Sequence, residues 1–88
     1  ESPAGEKVEI AADAAFVEMG LTPNSQMVAD LVDLDENGRI KIDCGANTSA
    51  SGIFAAGDVT TLDHEQVLIA VGEGAKAALS AFEYILKL

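Results

Sequence analysis

The hydrophobic pattern of the first third of the chain predicts two strands and a short helix. Val8, Ile10 and Ala12 alternate with Glu9 and Ala11, and residues 14–19 are more continuously apolar. Both patterns are typical of short β-strands. After a loop, Thr22 or Asn24 is placed to cap a short helical stretch over residues 25–31, because either side chain can accept a hydrogen bond from the first helical turn.

The middle of the chain predicts a β-hairpin. Residues 32–34 lead into a polar turn at residues 35–38, and residues 39–43 return with strict alternation of polar and apolar side chains. Asn37 and Gly38 at the tip readily adopt the positive φ angles that tight hairpin turns require. These positions therefore predict two short antiparallel strands.

A buried strand and a long helix are predicted in the second half. Residues 52–56 are all small or apolar, which is typical of a strand buried on both faces. A helix is predicted from about residue 65 to residue 87, with the amphipathic pattern of a surface helix. Its polar stripe has side chains three and four positions apart: Glu73, Lys76, Ser80, Glu83 and Lys87. Its apolar stripe lies opposite and contains Val67, Val71, Ala75, Ala78, Phe82 and Ile85.

Two glycines inside this helix allow a second interpretation. Gly72 and Gly74 each cost about 1 kcal/mol relative to alanine, which suggests that something approaches the backbone closely there. Residues 67–77 also match a strand that enters a GxGxxA dinucleotide fingerprint. That interpretation needs a further helix, a second strand and an acidic residue about 20 positions on. One continuous helix is favoured because the polar stripe runs through Glu73 and Lys76.

Composition restricts the function classes. The chain has 88 residues, of which 49% are hydrophobic, so it is a core-forming sequence of at most one small domain. Fifteen acidic against five basic residues give a net charge of −10, which repels nucleic acid backbones and anionic membrane surfaces. No apolar run approaches the roughly 20 residues that span a bilayer. Because Glu1 is not an initiator residue, we expect the chain to be cut from something longer or processed.

The single cysteine and the single histidine carry little predicted chemistry. One cysteine excludes an internal disulfide and an internal CxxC redox pair, and we expect Cys44 to be a buried or half-buried apolar side chain. His64 is expected to shape the loop before the helix, because no second titratable group is placed to form an acid–base pair with it. No catalytic residue and no metal ligand is predicted.

Gly57 and Asp58 end the predicted buried strand, at the position where open α/β sheets bind ligands. Gly57 lets the chain turn and lets a ligand approach the backbone. Asp58 can accept a hydrogen bond from a sugar-alcohol hydroxyl. The alternative is that Asp58 only caps a turn, since Gly-Asp pairs are common in turns.

Three stretches resemble the pyridine nucleotide-disulfide reductase family. Residues 48–58 are similar to its second FAD fingerprint: a threonine, four variable residues, a hydrophobic-aromatic-hydrophobic strand and a Gly-Asp pair. Residues 16–24 resemble the segment that returns the chain from the NADPH domain to the FAD domain, and residues 66–78 resemble the final flavin-contacting helix. Within the family, the sequence most resembles thioredoxin reductases and the flavoprotein subunit of alkyl hydroperoxide reductase.

The resemblance implies a set of FAD-binding residues, namely Gly57, Asp58, Gln66, Val67 and Ala70. In the family, the matching aspartate hydrogen-bonds the ribityl chain of the flavin. The N-terminus of the final helix would stabilise the negative charge of reduced flavin with its unpaired N–H groups. Many relatives have a basic residue before the glutamine, whereas this chain has Glu65, which is therefore expected to point outward.

The resemblance also implies a fold and a role in a longer protein. The expected fold class is α/β: the C-terminal part of a three-layer, ββα-type Rossmann-like FAD-binding domain, with a short β-hairpin and a long C-terminal helix. Residues 1–19 are expected to be the last strands of the NAD(P)H-binding domain and the crossover, and residues 20–88 the C-terminal lobe of the FAD-binding domain.

The intact parent is expected to be a cytoplasmic, homodimeric flavoprotein oxidoreductase. It would pass a hydride from NAD(P)H to FAD, and then electrons through a redox-active cysteine pair to a thioredoxin- or peroxiredoxin-type disulfide protein. The isolated chain is expected to be inactive. The alternative is a stand-alone acidic interaction or structural module that is derived from such a flavoprotein and has no catalysis.

Overall fold

The computed structural model of the chain describes residues 5–88, so the first four residues of the predicted 1–19 unit lie outside it. Within that range it contains a 3₁₀-helix, Gln26–Val28, and one α-helix, α1, Val67–Leu86. None of these residues belongs to a regular strand, and three isolated β-bridges connect the loops instead. The buried side chains all come from these loops: Ser25, Val32, Ile40, Ala46 and Thr60.

Residues 5–22 are exposed and have no regular structure, in contrast to the two strands predicted there. Their apolar side chains are open to solvent, and Phe16 is fully exposed. A strand needs a neighbour to satisfy its backbone hydrogen bonds, and no β-bridge among the described residues involves residues 8–19. The prediction of strands at 8–12 and 14–19 is therefore wrong for this chain. The radius of gyration of 18.4 Å accordingly exceeds the roughly 12 Å of a compact domain of this length.

The predicted hairpin is present as a closed turn. Leu34 and Ile40 form one antiparallel bridge, and the N–H of Asp35 donates to the carbonyl of Arg39 at 2.8 Å. Gly38 has a φ of +81°, as expected for the tip, and its N–H donates to the Asp35 carbonyl at 3.0 Å. Since a single bridge does not make two strands, the hairpin itself is not confirmed.

The short helix predicted after the first loop is reduced to the 3₁₀-helix Gln26–Val28. Its N-cap is Ser25, so the predicted caps Thr22 and Asn24 are wrong. The Ser25 side chain makes no cap hydrogen bond, because its Oγ donates to the carbonyl of Gly38 at 2.6 Å. The serine thus ties the first loop to the tip of the turn and leaves the helix without a side-chain cap.

The strand predicted at residues 52–56 contributes a single β-bridge. Phe54 bridges Asn47, and the N–H of Ala55 donates to the carbonyl of Ala46 at 3.1 Å. Residues 53–56 are half-buried. A strand buried on both faces needs neighbouring strands and covering layers, which the described part of the chain does not supply. The predicted burial on both faces is therefore wrong for this chain.

Helix α1 confirms the long helix predicted at the end of the sequence. It runs without a break from Val67 to Leu86, a little inside the predicted bounds. Gly72 and Gly74 both lie within it, so the interpretation of residues 67–77 as a strand and a dinucleotide fingerprint is wrong. A methyl group on either glycine would meet nothing within 4 Å among the described residues beyond the helix's own backbone. The close approach that these glycines suggested is therefore absent from this part of the molecule.

The two faces of α1 are inverted relative to those of an ordinary surface helix. The half-buried inner face carries mainly small or polar side chains: Ile69, Ala70, Glu73, Lys76, Ala77, Ser80, Ala81 and Tyr84. The outer face carries large apolar side chains that are 58% to 84% exposed: Val67, Leu68, Val71, Leu79, Phe82, Ile85 and Leu86. The apolar stripe predicted from the sequence thus exists, but it faces away from the described loops.

Two side chains of the inner face, the large Tyr84 and the small Ala70, lie close to loop glycines. A methyl group on Gly52 would lie 3.2 Å from the hydroxyl oxygen of Tyr84, and one on Gly57 would lie 3.8 Å from the Cβ of Ala70. The Tyr84 ring also meets Phe54 edge-on, with ring centroids 6.0 Å apart. The helix is therefore fixed to the loops near both of its ends.

Candidate functional site

A tight turn at Gly57 and Asp58 follows the half-buried residues 53–56. Gly57 has a φ of +88°, a left-handed conformation that glycine adopts without strain. Thr60 closes the turn with two hydrogen bonds to the carbonyl of Gly57, from its N–H at 3.0 Å and from its hydroxyl at 2.7 Å. Because Thr60 is 0% exposed, water does not compete for these bonds, and the shape of the turn is fixed.

The turn at Gly57 and Asp58 is also attached, through Ile40, to the closed turn of residues 34–40. The N–H of Ile40 donates to the carbonyl of Val59 at 2.8 Å, and its carbonyl accepts from the N–H of Thr61 at 3.1 Å. These two bonds form a parallel bridge between Ile40 and Thr60, both of which are buried. The loop that carries Asp58 is therefore held on both sides of Thr60.

Asp58 itself is exposed, and its carboxylate accepts no hydrogen bond from the described residues. The alternative prediction that Asp58 caps the turn is wrong, since Thr60 closes it. The backbone at Asp58 is fixed while its side chain is available to a hydroxyl donor from outside.

Helix α1 begins next to this turn. Gln66 is the N-cap, with extended backbone and no side-chain cap hydrogen bond, and its carbonyl accepts from the N–H of Ala70 at 2.9 Å. The N–H groups before Ala70 have no partner within the helix, and Gln66 and Val67 are both exposed. Such a helix end carries a partial positive charge and favours an anionic group.

The five residues predicted to bind FAD therefore lie in two adjoining segments. Gly57 and Asp58 form the turn, and Gln66, Val67 and Ala70 form the first turn of α1. The segments come close where a methyl group on Gly57 would lie 3.8 Å from the Cβ of Ala70. Their role in binding FAD stays a prediction.

Arg39 connects the same two segments, although its sequence position does not predict this role. One of its guanidinium nitrogens donates to the carbonyl of Asp58, and another donates to the carboxylate of Glu65. The side chains of Arg39 and Glu65 are 18% and 32% exposed, so the pair is partly shielded from solvent. Glu65 was expected to point outward; it is exposed, but its carboxylate is bound. An acidic residue in place of the relatives' basic one was the signal that a counter-charge lies nearby.

A cleft of about 360 Å³ opens beside Asp58. It is lined by residues 21–24 and by Arg39, Asp58 and Val59. Residues 21–24 belong to the stretch that resembles the family's return segment. Two of the three resembling stretches thus share one cleft.

Thr48 shapes the loop that leads to the turn. Its hydroxyl donates to the carbonyl of Ile53 at 2.7 Å and accepts from the N–H of Ala50 at 3.2 Å. The N–H of Thr48 donates to the same Ile53 carbonyl at 3.3 Å. The threonine that opens the fingerprint therefore folds the variable residues into a closed loop.

A second cleft, of about 330 Å³, lies between residues 61–64 and the inner face of α1. Asp43 lies at its edge, and hydrogen bonds from the backbone N–H of Asn47, the Asn47 side-chain amide and the backbone N–H of Gly45 hold the pKa of that carboxyl below its usual range. His64 lines the cleft and is exposed. Cys44 is also exposed, so the expectation that it is buried is wrong.

Two kinds of site are absent from residues 5–88. No group of three or more histidine, cysteine, aspartate or glutamate side chains in this range could hold a metal ion. No helix within the same residues is long and apolar enough to cross a membrane.

Residues 3–74 match the family described as pyridine nucleotide-disulphide oxidoreductase. The chain belongs to this family. The resemblance that the fingerprint suggested is therefore confirmed over most of the sequence.

Among curated relatives, the chain is similar to the F subunit of alkyl hydroperoxide reductase. It is 49% identical over 83 residues to the protein of Staphylococcus aureus and 46% identical over 82 residues to that of Pseudomonas putida. These matches cover 94% and 93% of the chain but only 16% of each relative. The chain thus spans about a sixth of the length of these members of the pyridine nucleotide-disulphide oxidoreductase family.

Among solved structures, the chain is similar to thioredoxin reductases. The enzyme of T. acidophilum matches 96% of the chain at 41% identity with a TM-score of 0.82, and the chain covers 28% of it. That of Lactococcus lactis matches 83% of the chain at 42% identity with a TM-score of 0.78, and the chain covers 24% of it. The likeness assigns the chain to the α/β class, as part of a larger fold of the family.

Proposed function

We propose that the chain forms part of the FAD site of an NAD(P)H-dependent disulfide oxidoreductase of the thioredoxin reductase type. The observation that carries this proposal is the turn at Gly57 and Asp58, which Thr60 locks and which packs against Ala70 in the first turn of α1. A fixed turn, whose carboxylate accepts no hydrogen bond from residues 5–88, lies next to an open helix end, and in a chain of this family this supports binding of a flavin dinucleotide.

The residues present fit the groups that FAD offers. The Asp58 carboxylate would accept a hydrogen bond from a ribityl hydroxyl, and Gly57 would let the ribityl chain approach the backbone. Gln66 and the backbone N–H of Val67 would hold the N1–C2=O edge of the flavin ring, where the helix end favours negative charge. The flavin supplies hydride and electron transfer, and this chain supplies binding, orientation and electrostatic support.

The exposed apolar surfaces support the proposal that the chain functions within a longer protein. Residues 8–19 and the outer face of α1 expose large apolar side chains that a monomeric soluble domain ordinarily covers. We assign residues 1–19 to the end of an NAD(P)H-binding domain and the crossover, and residues 20–88 to the C-terminal lobe of the FAD-binding domain. The whole protein would be a cytoplasmic homodimer that reduces a thioredoxin- or peroxiredoxin-type disulfide protein through a cysteine pair outside this chain.

The second candidate is a stand-alone acidic interaction or structural module without catalysis. The net charge of −10 favours it, because so acidic a surface keeps a small chain soluble and can attract a basic partner. The large apolar side chains on the outer face of α1 disfavour this second candidate, because a stand-alone module would leave them exposed to solvent. Sequencing the coding region upstream of Glu1 separates the two: a glycine-rich FAD fingerprint, a CxxC and a second dinucleotide fingerprint support the reductase, and a start codon directly before Glu1 supports the module.

The FAD site is tested by substituting Asp58 in the longer flavoprotein. Loss of one hydrogen bond to a charged acceptor is worth about 1.5 to 3 kcal/mol, so Asp58→Ala should weaken FAD binding roughly 10- to 100-fold. Asp63→Ala is the matched control, because Asp63 is an exposed aspartate of the next loop and makes no hydrogen bond with the described residues. Titration of the apoprotein with FAD, followed by flavin fluorescence, measures both. Equal affinities for the two variants would remove Asp58 from the site.

A further inference from the structure

The guanidinium of Arg39 bonds to both segments of the candidate flavin site. It donates to the backbone carbonyl of Asp58 and to the carboxylate of Glu65, the residue immediately before the N-cap of α1. Near Gly57, a methyl group on the glycine would meet only the Cβ of Ala70, at 3.8 Å. Arg39 is thus the polar connection between the turn and the start of the helix.

The position of Arg39 gives this connection a rigid base. Arg39 precedes Ile40, whose N–H and carbonyl are bonded to the site loop on either side of Thr60. The carbonyl of Arg39 accepts the N–H of Asp35, which closes the hairpin turn. The arginine backbone is therefore fixed, and the reach of its side chain sets where Asp58 and Glu65 lie.

The start of α1 depends on such an external contact. Gln66 makes no side-chain cap hydrogen bond, so only the bond from the N–H of Ala70 to its carbonyl holds the N-cap within the helix. The ion pair between Glu65 and Arg39 supplies that orientation from the hairpin side.

The ion pair between Arg39 and Glu65 also determines the net charge at the N-terminus of α1. A lone carboxylate at residue 65 would oppose an anionic ligand at the N-terminus of α1. Arg39 neutralises it, so the partial positive charge of the unpaired N–H groups remains available. Two separate guanidinium nitrogens serve the two acceptors, an arrangement that the single ammonium of a lysine does not reproduce.

We propose that Arg39, paired with Glu65, is a positioning residue of the flavin site that sets Asp58 relative to the start of α1. The proposal rests on the proposed function. Arg39 acts through the Asp58 backbone and through Glu65, and it contacts no reacting atom.

The test uses the longer flavoprotein with Arg39→Gln, Glu65→Gln, the double variant and Arg39→Lys. FAD affinity of the apoprotein and the midpoint potential of the bound flavin are measured for each. Lys41→Gln is the matched control, since Lys41 is an exposed cation two residues away whose side chain makes no hydrogen bond with the described residues.

Arg39→Gln should weaken FAD binding about fivefold, the upper range for a partly exposed ion pair, and should lower the flavin potential because Glu65 is left uncompensated. Glu65→Gln should raise the potential, because it removes a negative charge. The double variant should return the potential to the parent value, yet bind FAD no better than Arg39→Gln. Arg39→Lys should recover the potential more fully than the affinity.

The outcomes separate failure of the proposed function from failure of the positioning role of Arg39. If the unmodified flavoprotein binds no FAD, the proposed function fails and the positioning role fails with it. If it binds FAD and all four variants match Lys41→Gln in affinity and potential, the positioning role alone is overturned. If Arg39→Gln does not fold, Glu65→Gln and Arg39→Lys decide. The positioning role is overturned if Glu65→Gln matches Lys41→Gln in flavin potential and Arg39→Lys matches it in FAD affinity.

Discussion

The hydroxyl of Thr60 should control the affinity for FAD without touching the ligand. Thr60→Val removes the hydroxyl and keeps the shape of the side chain, so it deletes the 2.7 Å bond to the carbonyl of Gly57. That carbonyl still accepts the N–H of residue 60 at 3.0 Å and is not left unpaired. The expected cost is therefore about 1 kcal/mol of unfolding free energy, the net value of one hydrogen bond, and not the larger penalty of an orphaned group.

The same quantity limits the effect on binding. If FAD binds only the locked turn, a loss of about 1 kcal/mol lowers the competent fraction and weakens affinity by at most about fivefold. Thr60→Ser is the contrasting variant, because it retains the hydroxyl and loses one buried methyl group, which also costs about 1 kcal/mol. The two variants should match in stability and differ in affinity.

Urea unfolding and FAD titration of the longer flavoprotein measure both quantities. Thr61→Val serves as a second control, since the hydroxyl of Thr61 accepts only a long hydrogen bond of 3.3 Å from the N–H of Ile42. If Thr60→Val and Thr60→Ser weaken FAD binding equally, affinity follows general stability, and the idea that the hydroxyl locks the turn is refuted.

Three further perturbations probe other parts of the structure. Gly57→Ala should destabilise the longer protein by about 1 to 2 kcal/mol in urea unfolding, because its φ of +88° is unfavourable for a residue with a Cβ; no loss would mean that the turn relaxes freely. The pKa of the Asp43 carboxyl should lie below the usual range for aspartate by NMR, because the backbone N–H of Asn47, its side-chain amide and the backbone N–H of Gly45 donate to the charged form. The stability that these bonds contribute should be present at neutral pH and be lost as pH falls through the lowered pKa. Asn47→Ala should raise this pKa only part of the way, because the backbone N–H of residue 47 still donates to the carboxylate. Phe82→Ala should lower the unfolding free energy of the longer protein by about 3 to 5 kcal/mol if the outer face of α1 is covered there. Glu83→Ala, at the neighbouring exposed position, should lower it little, and equally small effects of both variants would show an uncovered face.

The features that depend on local sequence were predictable. Helix α1 follows from a periodicity that is complete within its own 20 residues, and the turn at Gly38 follows from the conformational freedom of Asn-Gly. The strands at 8–12 and 14–19 were not, because a strand forms only against a partner, and no described residue pairs with them. A sequence pattern indicates which secondary structure a segment prefers, but it does not indicate which other segment pairs with it.

The site shows the same division. Gly57 and Asp58 were found because they end a recognisable fingerprint, and a methyl group on Gly57 would lie 3.8 Å from the Cβ of Ala70. Thr60 and Arg39 were missed, because a threonine in a loop and an arginine directly after a turn have no distinguishing spacing. The contacts of Arg39 join positions 19 or more residues apart, and the role of Thr60 depends on its burial. Neither property can be predicted from the adjacent residues of the sequence.

The inversion of α1 places different mutational constraints on its two sides. On the inner face, a methyl group on Gly57 would lie 3.8 Å from the Cβ of Ala70, and one on Gly45 would lie 3.6 Å from the Oγ of Ser80. The limit there is volume, because a larger side chain would push the helix off the loops, whereas a small polar one would be accepted. On the outer face the limit is polarity. Phe82 and its apolar neighbours have room for a larger side chain, but a charged replacement would be uncompensated against whatever covers this face. A saturation library of the longer protein should therefore separate into two interleaved classes of position with the period of a helix, one selecting for size and the other for hydrophobicity.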